Sequence, residues 1–139
     1  MNISEQKDEN VKGKDLLTLM FERQVIAEQE FLEVEGFKKH LVFGKLENLH
    51  HPEVCQHINN NIYWRMTQEI HEAVIALKNA KTWRQTKYFT DVNEYLDEVA
   101  DIMIYFINAC LASGITPEML TQVVLKKIKI NTDRIRSKY

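Results

Sequence analysis

An all-α fold is what this sequence predicts, and three observations predict it. Four Gly and two Pro in 139 residues leave few places for tight hairpins. Strong helix formers dominate most of the chain, and its apolar residues recur every three or four positions rather than alternating. Because 45% of the residues are hydrophobic, the chain can bury a core of its own and suits one domain.

The first thirteen residues, MNISEQKDENVKG, are polar and without period, which predicts a flexible arm ahead of a helical domain over 14–139. A first helix begins near Lys14, carries Leu16, Leu19, Met20, Val25, Ile26 and Leu32 at helical spacing, and stops at Gly36. Residues 37–57 contain Gly44, Pro52 and clustered His, so they read as a connector with one short helical turn around LENLHH. A second helix spans Ile58 to Ala80, with Ile62, Met66, Ile70, Val74 and Leu77 on one side. The loop KTWRQTKYFT leads to a third helix from Asp91 to Ser113, capped by Thr90 or Asp91 and ended by Gly114. Thr116 and Pro117 open a fourth helix, as cap and first helical residue, which runs to the C-terminus.

The totals narrow the function classes. Eighteen Lys plus Arg against twenty Asp plus Glu, with a pI near 6.2, argue against nucleic-acid binding through bulk positive charge. Cys55 and Cys110 lie far apart with no CxxC or His-linked spacing, which fits reduced thiols in a cytoplasmic protein. The longest apolar run, IMIYFINACLA, is too short and too interrupted to span a bilayer, and no secretory signal opens the chain, so no membrane partner is expected.

The chemistry is carried by acids. Glu69 and Glu72 are three residues apart on the second helix, and Ala73, Ala76 and Ala80 lie near the same direction, so that side admits a neighbouring helix. On the third helix Glu94, Asp97, Glu98 and Asp101 form a carboxylate ridge that runs into a segment apolar on every side. Like charges at these spacings cost roughly 0.2–0.5 kcal/mol per pair even when exposed, and more when desolvated. A hard divalent cation with oxygen ligands, magnesium above all, with manganese as its substitute, is the natural compensation. The plain alternative is two solvated acidic faces. A single ExxH, Glu47 to His50, falls short of the pair of such motifs that a di-iron bundle needs, and reads as surface.

EIHE, then twenty-five residues, then EVAD resembles the ExxE…ExxD signature of the all-α nucleoside triphosphate pyrophosphohydrolases, which include MazG-like enzymes and dimeric dUTPases. DIMIYFINACLASGITPEML followed by KKIKINTDRIRSKY is similar to the end of phage dCTP/dUTP pyrophosphatases, and FERQVI to their first helix. The likeness covers residues 62–139 and, weakly, the first helix, but not 37–57. It departs where only KTWRQTK echoes a Trp- and Lys-rich segment, and where Ile104 replaces a His of related phage enzymes.

The resemblance implies four main helices in a MazG-like bundle that forms a homo-oligomer, dimer or tetramer. It implies a deoxynucleoside triphosphate substrate, dUTP or dCTP first and a purine or modified nucleotide second, split to the monophosphate and pyrophosphate. Glu69, Glu72, Glu98 and Asp101 would hold the metal, with Glu69 taking the proton of the attacking water. Lys127, Asn131, Arg134, Tyr139 and Arg84 would meet the phosphates, and Gln24, Asn108 and Trp83 the nucleoside. Each has a plainer reading: a solvated basic helix end for the tail, a structural hydrogen bond for Asn108, a core anchor for Trp83, a solvent-facing Gln24. A helical interaction module without catalysis is the rival from another class.

Overall fold

Two glycines with positive φ, Gly36 at 68° and Gly114 at 73°, end the first and third long helices where the sequence places their stops. The computed structural model describes residues 15–77 and 90–138. It is all-α, with no strand among the described residues. The predicted N-terminal arm and the loop after the second helix lie outside the described residues.

Helix α1 spans Leu16–Glu35 and is capped by Asp15, whose carboxylate accepts from the Thr18 amide at 2.9 Å. Residues 37–57 are far more helical than one turn: α2 covers Lys39–Val42, a 3-10 turn Leu46–His50, and α3 Pro52–His57. A π segment, Ile58–Tyr63, joins α3 to α4, Trp64–Ala76, and the backbone keeps right-handed helical angles at both junctions. The second helix therefore begins at Pro52 rather than Ile58. Pro52 explains the start, since its missing N–H and fixed φ suit a first helical position.

Helix α5, Val92–Ser113, starts at Asp91, and α6, Pro117–Arg136, starts at Thr116 as its sequence indicates. α4 and α5 form a hairpin, in which the Asp91 amide ahead of α5 donates to the Ala76 carbonyl at the end of α4 at 3.1 Å. The C-terminal half of α5 is the central element. One side buries Ala109 and Ala112 against Val54, Ile58 and Ile62; the other buries Ile107 and Cys110 against Phe21.

Two predicted stripes are corrected by this packing. On α4 the buried residues are Ala73 and Ala76, while Ile70 and Val74 are 42% and 60% exposed. Small residues let the two backbones approach, so the alanine face wins and the larger side chains are left on the flank. On α1 only Phe21 is buried, and Leu16 and Ile26 face outward. Burial also pushes the Cys110 thiol up to about 11, so it packs as a small hydrophobe, whereas Cys55 is exposed. No single helix among the described residues is long and apolar enough to cross a membrane.

Candidate functional site

The alanine contact that joins α4 to α5 also sets their acids against each other. With Ala73 and Ala76 buried at the interface, Glu69 and Glu72 stand one turn earlier on the same side and meet Glu98 of α5. One carboxylate oxygen from each of the three lies within 4.8 Å of the others, the spacing of a shared cation. Among the described residues this is the one group of acids, histidines or cysteines so placed. Glu47 and His50 are both exposed on the 3-10 turn.

Glu98 is the least satisfied of the three carboxylates. Its Oε2 is shut off from solvent and has no hydrogen-bond partner. Burial raises its pKa above the ordinary carboxylate value, and a hydrogen bond with Glu69 and the charges of Glu72, Glu69 and Asp101 push it the same way. Asp101, one turn further along α5, stands outside the three-carboxylate group and instead lines the neighbouring cavity. Glu94 and Asp97 are exposed, so the predicted ridge of four divides between solvent and site.

That cavity, about 660 Å³, is of small-ligand size and has Glu69 and Asp101 on one wall. α1 and α5 supply another wall through Gln24 and Asn108. The Gln24 amide donates to Asn108 Oδ1 at 2.9 Å and to Glu28 Oε1 at 3.0 Å, which leaves the Gln24 carbonyl and the Asn108 amide hydrogens for a ligand. The solvent-facing reading of Gln24 is therefore replaced by a contact spanning two helices.

The rest of the lining includes two phenylalanines on which the sequence is silent and His57, one of the clustered histidines. Phe31 and Phe37 stack with ring centroids 6.1 Å apart, and His57 meets the Phe37 ring edge-on at 6.5 Å. His57 Nδ1 lies 2.9 Å from Asn61 Nδ2, and burial followed by the His40 charge lowers its pKa. With Asn61 donating, Nδ1 accepts and the neutral ring carries its proton on Nε2. Arg65, one turn before Glu69, and Tyr105 complete the lining used below. The signal that finds His57, Asn61 and Arg65 is their spacing of four residues, visible once the helix is extended through the π segment.

The basic tail is elsewhere. Lys127, Asn131 and Arg134 are exposed on α6, and none of that helix's described residues lines the cavity. Trp83, Arg84 and Tyr139 lie outside the described residues. Comparison of the chain with protein-family models, with curated proteins and with solved structures finds no match.

Proposed function

We propose that this chain is a magnesium-dependent pyrophosphohydrolase that converts a deoxynucleoside triphosphate, dUTP or dCTP first, to the monophosphate and pyrophosphate, in a MazG-like helical bundle. One observation carries the reading: three converging carboxylates, one with an unpartnered buried oxygen, share Glu69 with a nucleotide-sized cavity. A surface acid pair turned to solvent would have neither feature.

The donor set fits a hard cation, being all carboxylate oxygen. Glu69, Glu72 and Glu98 would hold magnesium, or manganese in its place, with Asp101 on the cavity side; when bound it supplies neutralisation of the triphosphate and of the leaving pyrophosphate. The chain's own residues do the remainder. Glu69 belongs to both the acid group and the cavity wall, so its carboxylate is placed to accept the proton of the attacking water. The Arg65 guanidinium, on the same wall, offers several N–H donors to phosphate oxygens.

At the other end the Gln24 carbonyl and the Asn108 amide present one acceptor and one donor to a base edge. Phe37 and Phe31 offer an apolar face for stacking. Both pyrimidines named can match one donor and one acceptor, as can a purine, so base choice falls to the fit of the whole cavity. Lys127, Asn131 and Arg134 line no part of their own chain's cavity, so a phosphate role for them requires a homo-oligomer, which we propose as the working state, in the cytoplasm.

The test is pyrophosphate release from a panel of deoxy- and ribonucleoside triphosphates with magnesium. Release from one or two deoxynucleotides supports the reading and names the base. No release from any of them by folded protein favours the rival, a helical interaction module, to which the exposed apolar flanks of α4 and α5 would then belong.

A further inference from the structure

We propose that His57 and Asn61 form a specificity pair that engages a hydroxyl group of the bound nucleotide, either the 3′-hydroxyl of its deoxyribose or a hydroxyl carried on its base. The inference rests on the reading above and deepens it, since it concerns which deoxynucleoside triphosphate the cavity holds rather than how it is split.

His57, Asn61, Arg65 and Glu69, spaced four residues apart, all line the cavity. A continuous α-helix would not keep them together. Each step of four residues drifts about 40° around an α-helix, so the twelve residues from His57 to Glu69 would set those two about 120° apart. The π segment Ile58–Tyr63 lies between them, and the Trp64 amide donates to the Asn59 carbonyl five residues back. Its wider turn advances less per residue, which takes up most of the drift and returns His57 to the side that carries Glu69. Ile58 and Ile62 stay buried in the core through the same segment. Such segments are rare and concentrate at functional sites.

The order along that row matches a nucleotide laid lengthwise. Glu69 belongs to the acid group, Arg65 follows one turn away with guanidinium donors for phosphate, and Asn61 and His57 come next, beyond the phosphates. The last two are a fixed pair, since Asn61 Nδ2 donates to His57 Nδ1 at 2.9 Å and the His57 ring meets the Phe37 ring edge-on. With Nδ1 occupied, the pair still offers the His57 Nε2–H as donor and Asn61 Oδ1 as acceptor. Among the polar groups of a nucleoside, a carbonyl only accepts and an amino group donates. A hydroxyl alone can accept from His57 and donate to Asn61.

Two further observations single this pair out. The Gln24 carbonyl and the Asn108 amide already present an acceptor and a donor to the base edge from α1 and α5, which leaves His57 and Asn61, on the third side of the cavity, for a different group. Asn59 and Asn60, in the same π segment, bond each other at 3.3 Å and line no part of the cavity. A pair that merely braced its own helix would look like these two and would need no π turn to reach the site.

Isothermal titration calorimetry with magnesium and uncleavable α,β-imido triphosphates tests this on the wild type and Asn61→Leu. The ligands are the dUTP and dCTP analogues, the same two without the 3′-hydroxyl, and the same two with a hydroxymethyl group on the base. The wild type is expected to lose about 10-fold in affinity when the sugar hydroxyl is removed, if the sugar is the source, or to gain about 10-fold from the hydroxymethyl group, if the base is. Asn61→Leu is expected to flatten that difference to within about 2-fold, and His57→Gln, which keeps a donor, to retain part of it. Circular dichroism verifies folding, and His57→Phe repeats the design if Asn61→Leu melts early. A wild type that binds all forms of a base equally, or a preference that survives removal of the pair, would overturn the proposal while pyrophosphate release still stood. A hydroxyl preference without pyrophosphate release would sink only the hydrolase reading, and no binding of any form would sink both.

Discussion

Glu69→Gln is expected to lower pyrophosphate release by about 10³-fold, with the melting temperature unchanged or raised. The size follows from two losses at one residue: a general base contributes roughly 10²–10⁴-fold, and a neutral amide is a poorer oxygen ligand for a hard cation. Glu69 alone belongs to both the three-carboxylate group and the cavity wall, so no neighbour can take over both roles. Asp101→Asn, which touches the cavity only, is expected to cost less, about 10-fold to 100-fold. Equal activity in Glu69→Gln and wild type, measured by pyrophosphate release, would place the chemistry at other residues.

Gly44→Ala is expected to destabilise the fold by about 3 kcal/mol or more and to lower the melting temperature by about 10 °C. A methyl group at Gly44 would stand 1.8 Å from the Ala112 carbonyl oxygen, a backbone atom that no rotamer change can move. The Gly44 amide also donates to the Leu111 carbonyl at 2.9 Å, so relief by backing away would break the bond that ties the segment to α5. Leu41 and Val42, just before Gly44, line the cavity, so any shift there reaches the site. Thermal melting decides it, and an unchanged midpoint would mean that the segment does not pack as described.

Much of this architecture is legible in the sequence because helix punctuation is local chemistry. Gly36 and Gly114 announce their stops, and Asp91 and Thr116 with Pro117 announce their starts. The acidic spacing on α4 and α5 is legible for the same reason, since three-residue spacing fixes a common face before any tertiary contact exists. Segment 37–57 is legible only in its turn over Leu46–His50, because Gly44 and Pro52 carry two meanings. Pro52 begins a helix, and Gly44 permits a backbone crossing that only the folded chain reveals.

On α4 the apolar period and the small residues point to different sides: Ile70 and Val74 look like core by period, yet the alanine side that admits a neighbouring helix is the buried one, because the α4–α5 approach takes only small side chains at Ala73 and Ala76. The pairing of Gln24 with Asn108, 84 positions apart, has no sequence signature at all. The basic residues of α6 are periodic in the sequence, but their separation from the cavity depends on the bend at Gly114.

The central claim is that Glu98 and its two partners form a divalent-cation site, and pH gives it a sign. A carboxyl whose pKa is raised by folding adds stability below its ordinary value, about 4.5, and loses it as pH rises through the folded value. Glu98 therefore weakens the metal-free fold at neutral pH, while Asp15 and Glu53, whose pKa values are lowered, act in the opposite direction. Comparison with Glu98→Gln isolates its share. The measurement is the melting temperature of wild type and Glu98→Gln, with and without magnesium, at pH 7 and below the ordinary carboxyl value of 4.5. The predicted result is a metal-free Glu98→Gln more stable than wild type at pH 7 but not at the acid pH, with magnesium stabilising wild type at pH 7 and leaving the variant unchanged. Equal stabilisation of both proteins by magnesium, or none of either, would contradict it.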